Sequence, residues 1–466
     1  MKNTQSMKRT LGLAAAGLLI LIMFFLPTPE GLTGEGKMSL VIMVAGIIVW
    51  ITEALPQCIS AMFLMMLLPY FGLLSFNETC QNFMSGTFFF LMASFTFTMA
   101  LKKTTVPIRV TSFLLKWSKG SPRKVVFSFL LASWLLSLVV SNIAATAMFV
   151  PLAVGLLEAN GDRPLESGMG RALMMAVPYG AFIGGCTLLC GSSANVTVLG
   201  LTEKFFGFTV DFMTWAIIGI PFAIIMIPVT WFALCMIYKP EPVKKDVIDD
   251  TVARADALGA LSAFDLKVLM VIGLCLILWI LSTWFPIFKT WTVGILGIFL
   301  MFLPGIEVMD FKEWSSNMSW NALLLLGCVM SLASAISATG ASTWLASLVI
   351  PLVDNAGAGT LLGISGASSI LIRLILPAAS AMAGVTVEPF CQIAISAGCS
   401  MTAMVMLMAW VSGTTYMLPV DSLMMIPYSS GYSSMSDPVK AGIVPSVTSV
   451  LIACTILPLI CTFLGV

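Results

Sequence analysis

Long apolar runs follow one another along the whole of this chain. Of its 466 residues, 59% are hydrophobic and only 10% are charged. An α-helix needs about 20 apolar residues to cross the hydrocarbon core of a bilayer, and runs of that length recur throughout. Soluble domains are roughly one quarter charged residues, far more than this chain. The sequence therefore predicts an all-α polytopic membrane protein with about 11 transmembrane helices.

Several kinds of chemistry are excluded by residues that the sequence lacks. It contains no histidine, which rules out histidine-ligated metals, a haem held by histidine and a Ser-His-Asp triad. The 11 cysteines lie mostly within apolar runs, as small buried hydrophobes do, and form no CxxC pair. No GxxxxGK[ST] loop is present, which argues against an ATP-driven pump. We expect no resident metal or cofactor and no nucleic-acid partner.

The same order of elements occurs twice along the chain. A tail and first helix (1–37) precede two halves, 38–238 and 266–466, which a polar cytoplasmic linker (239–265) joins. Each half carries spanning helices, an interfacial helix, a hairpin, a broken helix and a last helix. The hairpins are predicted at 122–157 and 360–395, and the broken helices at 172–201 and 396–425. An odd number of spans in each half predicts that the second copy is inverted relative to the first.

The distribution of basic residues predicts the orientation. If the N-terminus is cytoplasmic, every Lys and Arg falls in a predicted inside segment except four, namely Lys37, Lys204, Lys289 and Arg373. The first interfacial stretch (102–119) is rich in Lys and Arg, whereas its counterpart (343–354) has none. The positive-inside rule predicts this contrast for copies that face opposite leaflets. No signal-peptide cleavage site follows the first apolar run, so we expect a retained helix in a bacterial inner membrane.

Two short polar tripeptides and two polar helix breaks interrupt the apolar runs. Ser141-Asn142-Ile143 and Ser380-Ala381-Met382 lie at the hairpin tips, between arms that we expect to be too short to cross the bilayer separately. Breaks are predicted at 184–196 and 414–422. Helix ends at mid-membrane need surrounding protein or a water-filled cavity. Helix N-termini suit an anion and unwound carbonyls suit a small cation, so re-entrant hairpins and breaks predict a central binding site.

These segments resemble those of the divalent anion:sodium symporter family of dicarboxylate, citrate and sulfate carriers. GSPRKVVFSFLLASWLLSLVVSNIAATAMFVPLA resembles the family's first hairpin with its Ser-Asn-Thr signature. GGCTLLCGSSANV and TTYMLPVDSLMM resemble the two helix breaks. The resemblance implies a homodimer with a scaffold domain and a transport domain that moves as an elevator. It also implies two sodium sites, with the dicarboxylate held between the two tips.

Carried onto this sequence, the resemblance implies two sets of residues. The substrate site would comprise Ser141, Asn142, Ile143, Ser380, Ala381, Met382, Pro419 and Arg373. A residual first cation site, for Na⁺, would comprise Ser137, Ser141, Asn142, Gly191, Asn195 and Asp421. Structural alternatives stay open, because polar pairs also bridge helices and the GxxxG of Gly180 and Gly184 also serves helix packing alone.

The departures from the family pattern bear on the mechanism. Ile143 replaces a Thr, and Ala381 and Met382 replace Asn and Thr, so the second cation site lacks hard side-chain oxygens. Arg373 lies seven residues before Ser380, which predicts a position about two turns, roughly 10 Å, from the tip. We hypothesise that Arg373 replaces a bound cation. An empty carrier with an uncompensated charge would cross poorly, which favours exchange of one anion for another.

Other interpretations stay open at this point. Arg373 would instead snorkel outward or pair with Asp354, Glu388 or Asp421, and Asp421 would then be a protonation site or a simple ion-pair partner. Sodium- or proton-coupled symport is the alternative to exchange. A membrane enzyme would need a nucleophile and base at depth, and a channel would need a continuous polar stripe; neither is evident. Substrates from succinate, malate, fumarate and 2-oxoglutarate to citrate, tartrate and sulfate all remain compatible with the motifs.

Overall fold

The computed structural model of the protein describes residues 2–52, 54–285, 287–353, 357–376, 379–418, 421 and 423–465. All regular structure in these residues is helical. Among these residues, six helical segments are long and apolar enough to cross a membrane: Phe76–Lys102 (two helices joined by a 3₁₀ turn), Asn142–Asn160, Phe212–Tyr238, Ala263–Leu281, Trp320–Ala338 and Asp437–Leu464. Five shorter apolar helices accompany them: Thr10–Met23, Gln57–Tyr70, Thr290–Phe302, Ala358–Leu374 and Met401–Gly413. The prediction of an all-α polytopic protein is confirmed.

The helices of the first part of the chain are numbered here in chain order. They are α1 (Lys2–Phe25), α2 (Gly34–Ile51), α3 (Gln57–Tyr70), α4 (Phe76–Gln81), α5 (Gly86–Lys102), α6 (Val106–Ser118), α7 (Pro122–Ser137), α8 (Asn142–Asn160), α9 (Gly168–Thr187), α10 (Ser193–Phe206) and α11 (Phe212–Tyr238). Single 3₁₀ turns occupy Asn82–Met84 and Leu189–Gly191. The predicted linker contains an additional helix, α12 (Lys245–Asp256).

The second part of the chain has the same kinds of elements. They are α13 (Ala263–Leu281), α14 (Thr290–Phe302), α15 (Phe311–Asn317), α16 (Trp320–Ala338), α17 (Ala341–Val353), α18 (Ala358–Ile375), α19 (Ala379–Ser396), α20 (Met401–Gly413), α21 (Met425–Ser429) and α22 (Asp437–Leu464). The hairpin predicted at 122–157 corresponds to α7 and α8, and the one predicted at 360–395 corresponds to α18 and α19. The inverted relationship between the halves stays a prediction.

One expectation about the hairpins is wrong. The arm α8 has 19 residues and is apolar enough to cross a membrane by itself. At about 1.5 Å per residue it approaches the roughly 30 Å hydrocarbon thickness. The other arms, α7, α18 and α19, have 16, 18 and 18 residues. Arm length therefore does not identify re-entrant hairpins, and the argument rests on where their tips lie.

The first hairpin packs directly on the first broken helix. A Cβ on Gly180 would lie 2.3 Å from the carbonyl oxygen of Leu130, and a Cβ on Gly184 would lie 2.5 Å from that of Trp134. Only glycine allows α7 and α9 to approach this closely. The Ser133 hydroxyl adds a buried hydrogen bond to the Val177 carbonyl at 2.7 Å. The packing role left open for Gly180 and Gly184 is thus what their surroundings indicate.

Both breaks occur where the sequence predicts them, but their second arms differ in length. In the first break, Leu188 is extended, a 3₁₀ turn follows, and α10 continues for 14 residues. In the second, α20 ends at Gly413 and α21 has only 5 residues. The predicted range 396–425 therefore ends where the second arm begins. The Asn195 amide stabilises the first break by donating to the carbonyls of Gly185 at 2.7 Å and Leu188 at 3.1 Å.

Candidate functional site

Six helices begin at the wall of a single cavity of about 660 Å³. Gln57, Asn142, Ser193, Ala379 and Met425 are the first residues of α3, α8, α10, α19 and α21, and all line this central cavity. Ser319 and Asn321, which flank the first residue of α16, line it too. The first N–H groups of a helix have no partner within the helix itself, and the N-terminus carries a partial positive charge. Their convergence makes the cavity a favourable place for an anion.

The first hairpin tip contributes both a helix end and side chains. Ser141 is the residue that precedes α8, and its hydroxyl makes no capping hydrogen bond to the helix. Its backbone N–H donates to the Thr98 hydroxyl at 3.1 Å, which ties the tip to α5. Ser141, Asn142 and Ile143 all line the central cavity. Ile143 is half exposed, so the position of the family's Thr presents an apolar wall.

A cluster of oxygen atoms lies behind this tip. In one orientation of the Asn142 amide, the Ser137 hydroxyl donates to Asn142 Oδ1 at 2.9 Å. In the other, the amide nitrogen donates to Ser137 Oγ at 2.9 Å and to the carbonyls of Ala181 and Gly191 at 3.1 and 3.2 Å. The second orientation satisfies both ends of the amide, so it is the one that the hydrogen-bond network favours. Turning the amide over would bring Oδ1 toward the oxygens of Ser137, Ala181 and Gly191, and the four oxygens would then suit a small hard cation.

Asn195 stands apart from this cluster. Its amide nitrogen donates hydrogen bonds to carbonyl groups of the break. Its Oδ1 is buried without a hydrogen-bond partner among the described residues. It does not line the central cavity. These contacts indicate that Asn195 stabilises the non-helical backbone of the break.

The second hairpin tip is poorer in polar groups. Ser380, in the first turn of α19, lines the cavity and accepts a hydrogen bond from the Thr197 hydroxyl of α10 at 3.4 Å. Ala381 and Met382 are fully buried and face away from the cavity lining. Neither side chain carries an oxygen, so the described residues of this tip form no second cluster like that around Asn142. Pro419, the remaining predicted substrate residue, lies outside the described residues.

Arg373 precedes the second hairpin tip and lies in the last turn of α18, which ends at Ile375. Its expected distance of about two turns from Ser380 stays a prediction. Its Nη1 donates to the Leu376 carbonyl at 2.6 Å, and the side chain lines the central cavity. A sequence signal for this existed, because a residue before a proline disfavours the helical conformation and Pro377 follows Leu376.

Asp421 is the ion-pair partner of Arg373. Its Oδ2 lies 3.4 Å from Arg373 Nη2, and its Oδ1 accepts from the Leu423 N–H at 2.9 Å. Both side chains are buried and both line the cavity. The expected uncompensated positive charge is therefore not what the structure shows, because Asp421 compensates it. Glu388 instead accepts from the Ser342 hydroxyl at 2.6 Å, and Asp354 lies outside the described residues.

Another part of the cavity lining was not predicted. Gln57, Phe95 and Asn321 come from α3, α5 and α16, far along the chain from both hairpins. Asn321 Oδ1 accepts from the Cys58 N–H at 3.2 Å, which fixes the start of α16 to the start of α3. Ser192 and Ser193 also line the cavity, and they lie inside the break that the sequence indicated.

Interrupted helices that converge on a buried polar cavity within a polytopic bundle define the class of membrane transporters. Residues 7–465 match the family described as "Sodium:sulfate symporter transmembrane region", and the chain belongs to this family. The predicted resemblance to divalent anion:sodium symporters is thus confirmed. Because the family consists of transporters, the expectation that the chain is not an enzyme is confirmed too.

Individual relatives agree with this assignment. The chain is 28% identical over 395 residues to a membrane protein of Cupriavidus necator, covering 80% of this chain and 76% of that protein. It is 26% identical over 369 residues to the sodium-dependent dicarboxylate transporter SdcS of Staphylococcus aureus, covering 74% and 70%. The structure of Neisseria gonorrhoeae MtrF, described as representing a class of antimetabolite efflux pumps, superimposes with a TM-score of 0.58. That comparison covers 96% of this chain and 97% of MtrF at 14% identity, and it shows similarity of fold alone.

Proposed function

We propose that this protein is a secondary transporter of dicarboxylates that binds its substrate in the central cavity. The observation that carries the proposal is the convergence of six helix N-termini there, with Arg373 as the cationic side chain in its described lining. Two hairpin tips that face one cavity suit two carboxylate groups of one small molecule. The name of the S. aureus relative, a dicarboxylate transporter, supports dicarboxylates over sulfate.

The charges around the cavity favour transport coupled to cations. Arg373 and Asp421 neutralise each other in the empty cavity, so the empty carrier is able to return without moving a net charge. A dicarboxylate adds two negative charges, which need compensation before the loaded site crosses. The oxygen cluster around Ser137 and Asn142 would accept one sodium ion as co-transported cargo.

Anion exchange is the second candidate, and the second hairpin tip favours it. Ala381 and Met382 supply no side-chain oxygen for a second cation, and Arg373, in the last turn of α18, would supply a positive charge instead. In this version the dicarboxylate displaces Asp421 from Arg373. Exchange then requires that the empty carrier reorient slowly for a reason other than net charge, and each inward movement would need an outward one.

The two candidates differ in proteoliposomes. The purified protein is reconstituted and uptake of labelled succinate is measured with and without internal succinate, and with sodium, potassium or a proton gradient. Cation-coupled transport gives net uptake into vesicles that contain no dicarboxylate, driven by the sodium or proton gradient. Exchange gives uptake only when internal dicarboxylate is present. Absence of uptake for succinate, malate, fumarate, 2-oxoglutarate and citrate under all of these conditions would refute dicarboxylate transport.

The proposed movement is that of an elevator within a homodimer in a bacterial inner membrane, with the N-terminus cytoplasmic. Hairpins and broken helices pack on each other, as the Gly180 and Thr197 contacts illustrate, and α3, α5 and α16 supply further lining of the cavity. Such an arrangement supports a mobile unit that slides against a fixed one. Crosslinking between α10 and α5 that does not slow transport would contradict this movement.

A further inference from the structure

A second cavity lies at the end of the first half, away from the central one. It has a volume of about 360 Å³ and lies between the start of α7 and the end of α11. Its lining consists of Arg123, Trp231, Phe232, Cys235, Met236 and Lys239. Helix α11 is one of the helices apolar enough to span the membrane, so its last residues lie at the boundary between lipid and water.

The water-facing side of this cavity is cationic. Arg123 and Lys239 are both exposed, and neither forms an ion pair with a described residue. The lining contains no acidic side chain. Glu241, two residues beyond Lys239, instead accepts hydrogen bonds from the N–H groups of Gly168 and Met169. Two positive charges therefore face one opening without a partner.

The lipid-facing side of the cavity is apolar and held in place. Phe232 and Met236 are 58% and 60% exposed, an unusual exposure unless lipid covers them. The indole N–H of Trp231 donates to the Arg123 carbonyl at 2.7 Å, which fixes α11 to the start of α7. Phe127 packs against Trp231 at 5.6 Å between ring centroids. Aromatic side chains at this level are typical of the membrane interface.

We infer that this cavity binds the phosphate headgroup of an anionic phospholipid. Arg123 and Lys239 would hold the phosphate oxygens, and an acyl chain would lie along Phe232 and Met236. Basic cavities between membrane helices on the cytoplasmic side are suited to such headgroups, and each cation near an anionic surface contributes about 1 kcal/mol. A free phosphate ion would use the two cations but would leave the apolar wall uncovered, which favours a lipid.

Native mass spectrometry of the full-length protein tests the assignment. The protein in detergent is mixed with phosphatidylglycerol, cardiolipin or phosphatidylethanolamine at equal concentrations. The detergent is then removed in the mass spectrometer, and the lipid molecules that stay bound to each protein are counted. The double variant R123Q/K239Q is compared with K116Q/K119Q, whose lysines line a different cavity near α12. We expect affinity for the anionic lipids to fall about 30-fold in R123Q/K239Q and about 5-fold in either single variant.

The outcomes distinguish a specific lipid-binding site from non-specific electrostatic attraction between the protein and anionic lipids. Unchanged binding in K116Q/K119Q, together with retained binding in the presence of excess inorganic phosphate, supports a lipid site. Equal losses in both double variants, no preference for phosphatidylglycerol over phosphatidylethanolamine, or displacement by inorganic phosphate alone would overturn it. A second copy of the chain occupying this surface, seen as a dimer that R123Q/K239Q dissociates, would also overturn it. Equal unfolding temperatures of the two double variants show that both are folded.

Discussion

The carboxylate of Asp421 lies 3.4 Å from the guanidinium of Arg373, and the pair borders the central cavity at the junction of the second hairpin and the second break. One residue precedes the hairpin tip and the other belongs to the segment between α20 and α21. Because both charges are buried, removing either one leaves the other without compensation, which is far more costly than losing an exposed pair. This relationship decides whether the empty cavity carries a net charge.

The variant D421N should separate net transport from exchange. Without Asp421 the empty cavity carries the uncompensated charge of Arg373, which costs about 3 kcal/mol at the centre of a membrane and slows the return of the empty carrier about 100-fold. A bound dicarboxylate restores compensation, so exchange continues. Net uptake and counter-flow of labelled dicarboxylate in proteoliposomes measure the two rates.

Glu388 provides the matched control for this experiment. It is a buried carboxylate on the same hairpin but does not line the cavity, and E388Q should change net uptake and counter-flow by the same factor. If D421N retained the net uptake of the unmodified protein, the charge argument would be wrong. A D421N protein that failed in counter-flow as well would also contradict it.

Cysteine labelling should show that the two hairpin tips are accessible from the same side of the membrane. In a background whose partly exposed cysteines (Cys58, Cys80, Cys399 and Cys454) are replaced by serine, S141C and S380C are treated with a charged, membrane-impermeant thiol reagent. Because both positions line the same cavity, we expect labelling from the same side and protection of both by substrate. A132C, which is fully buried in α7, serves as the unlabelled control.

A methyl group at Gly185 should disrupt the oxygen cluster. A Cβ at this position would lie 2.2 Å from Asn142 Oδ1, and the amide would have to leave its place. We expect G185A to weaken sodium dependence of uptake at least about 10-fold, equivalent to about 1.4 kcal/mol.

Gly155 is the control for this substitution, since a Cβ there would have no neighbour within 4 Å. G155A should leave sodium dependence unchanged and raise helix stability by up to about 1 kcal/mol. Equal sodium dependence of uptake in G185A and G155A would contradict the proposal that the oxygen cluster binds a cation.

Acid should remove a contribution that Glu241 makes to stability. Desolvation raises the pKa of Glu241, but hydrogen bonds from the N–H groups of Met169 and Gly168 and from the Ser167 hydroxyl outweigh it, and the pKa lies below its usual value. A lowered folded-state pKa stabilises the folded state above the unfolded pKa of about 4.3, and the contribution is lost as the pH falls through the folded value.

The variant E241Q should therefore unfold at a lower temperature than the unmodified protein at pH 7, and the difference should shrink only as the pH falls below about 4.3. Intrinsic tryptophan fluorescence during heating measures both proteins in detergent. E166Q removes a carboxylate from an exposed pair with Arg163 and should change little at either pH. A difference between E241Q and the unmodified protein that stayed constant well below about pH 4.3 would contradict the capping role.

Local sequence patterns were sufficient for the fold class and for the breaks. The extended Leu188 and the end of α20 at Gly413 both fall where small and polar residues interrupt an apolar run. Hydrophobicity, helix-breaking residues and capping side chains act within a few residues, so they can be interpreted without knowing the rest of the chain. The expectation that the hairpin arms are too short to cross was wrong for α8, which continues through Pro151 to Asn160.

The sequence by itself determined that the chain is a helical membrane protein whose helices break at fixed places, because these features depend on the hydrophobicity of neighbouring residues. Only the tertiary structure decided that Arg373 forms an ion pair with Asp421, and that Gln57 and Asn321 contribute to the lining of the same cavity. These partners lie tens to hundreds of residues apart, and no local pattern encodes which helices pack together. The net charge of the site is set by that packing.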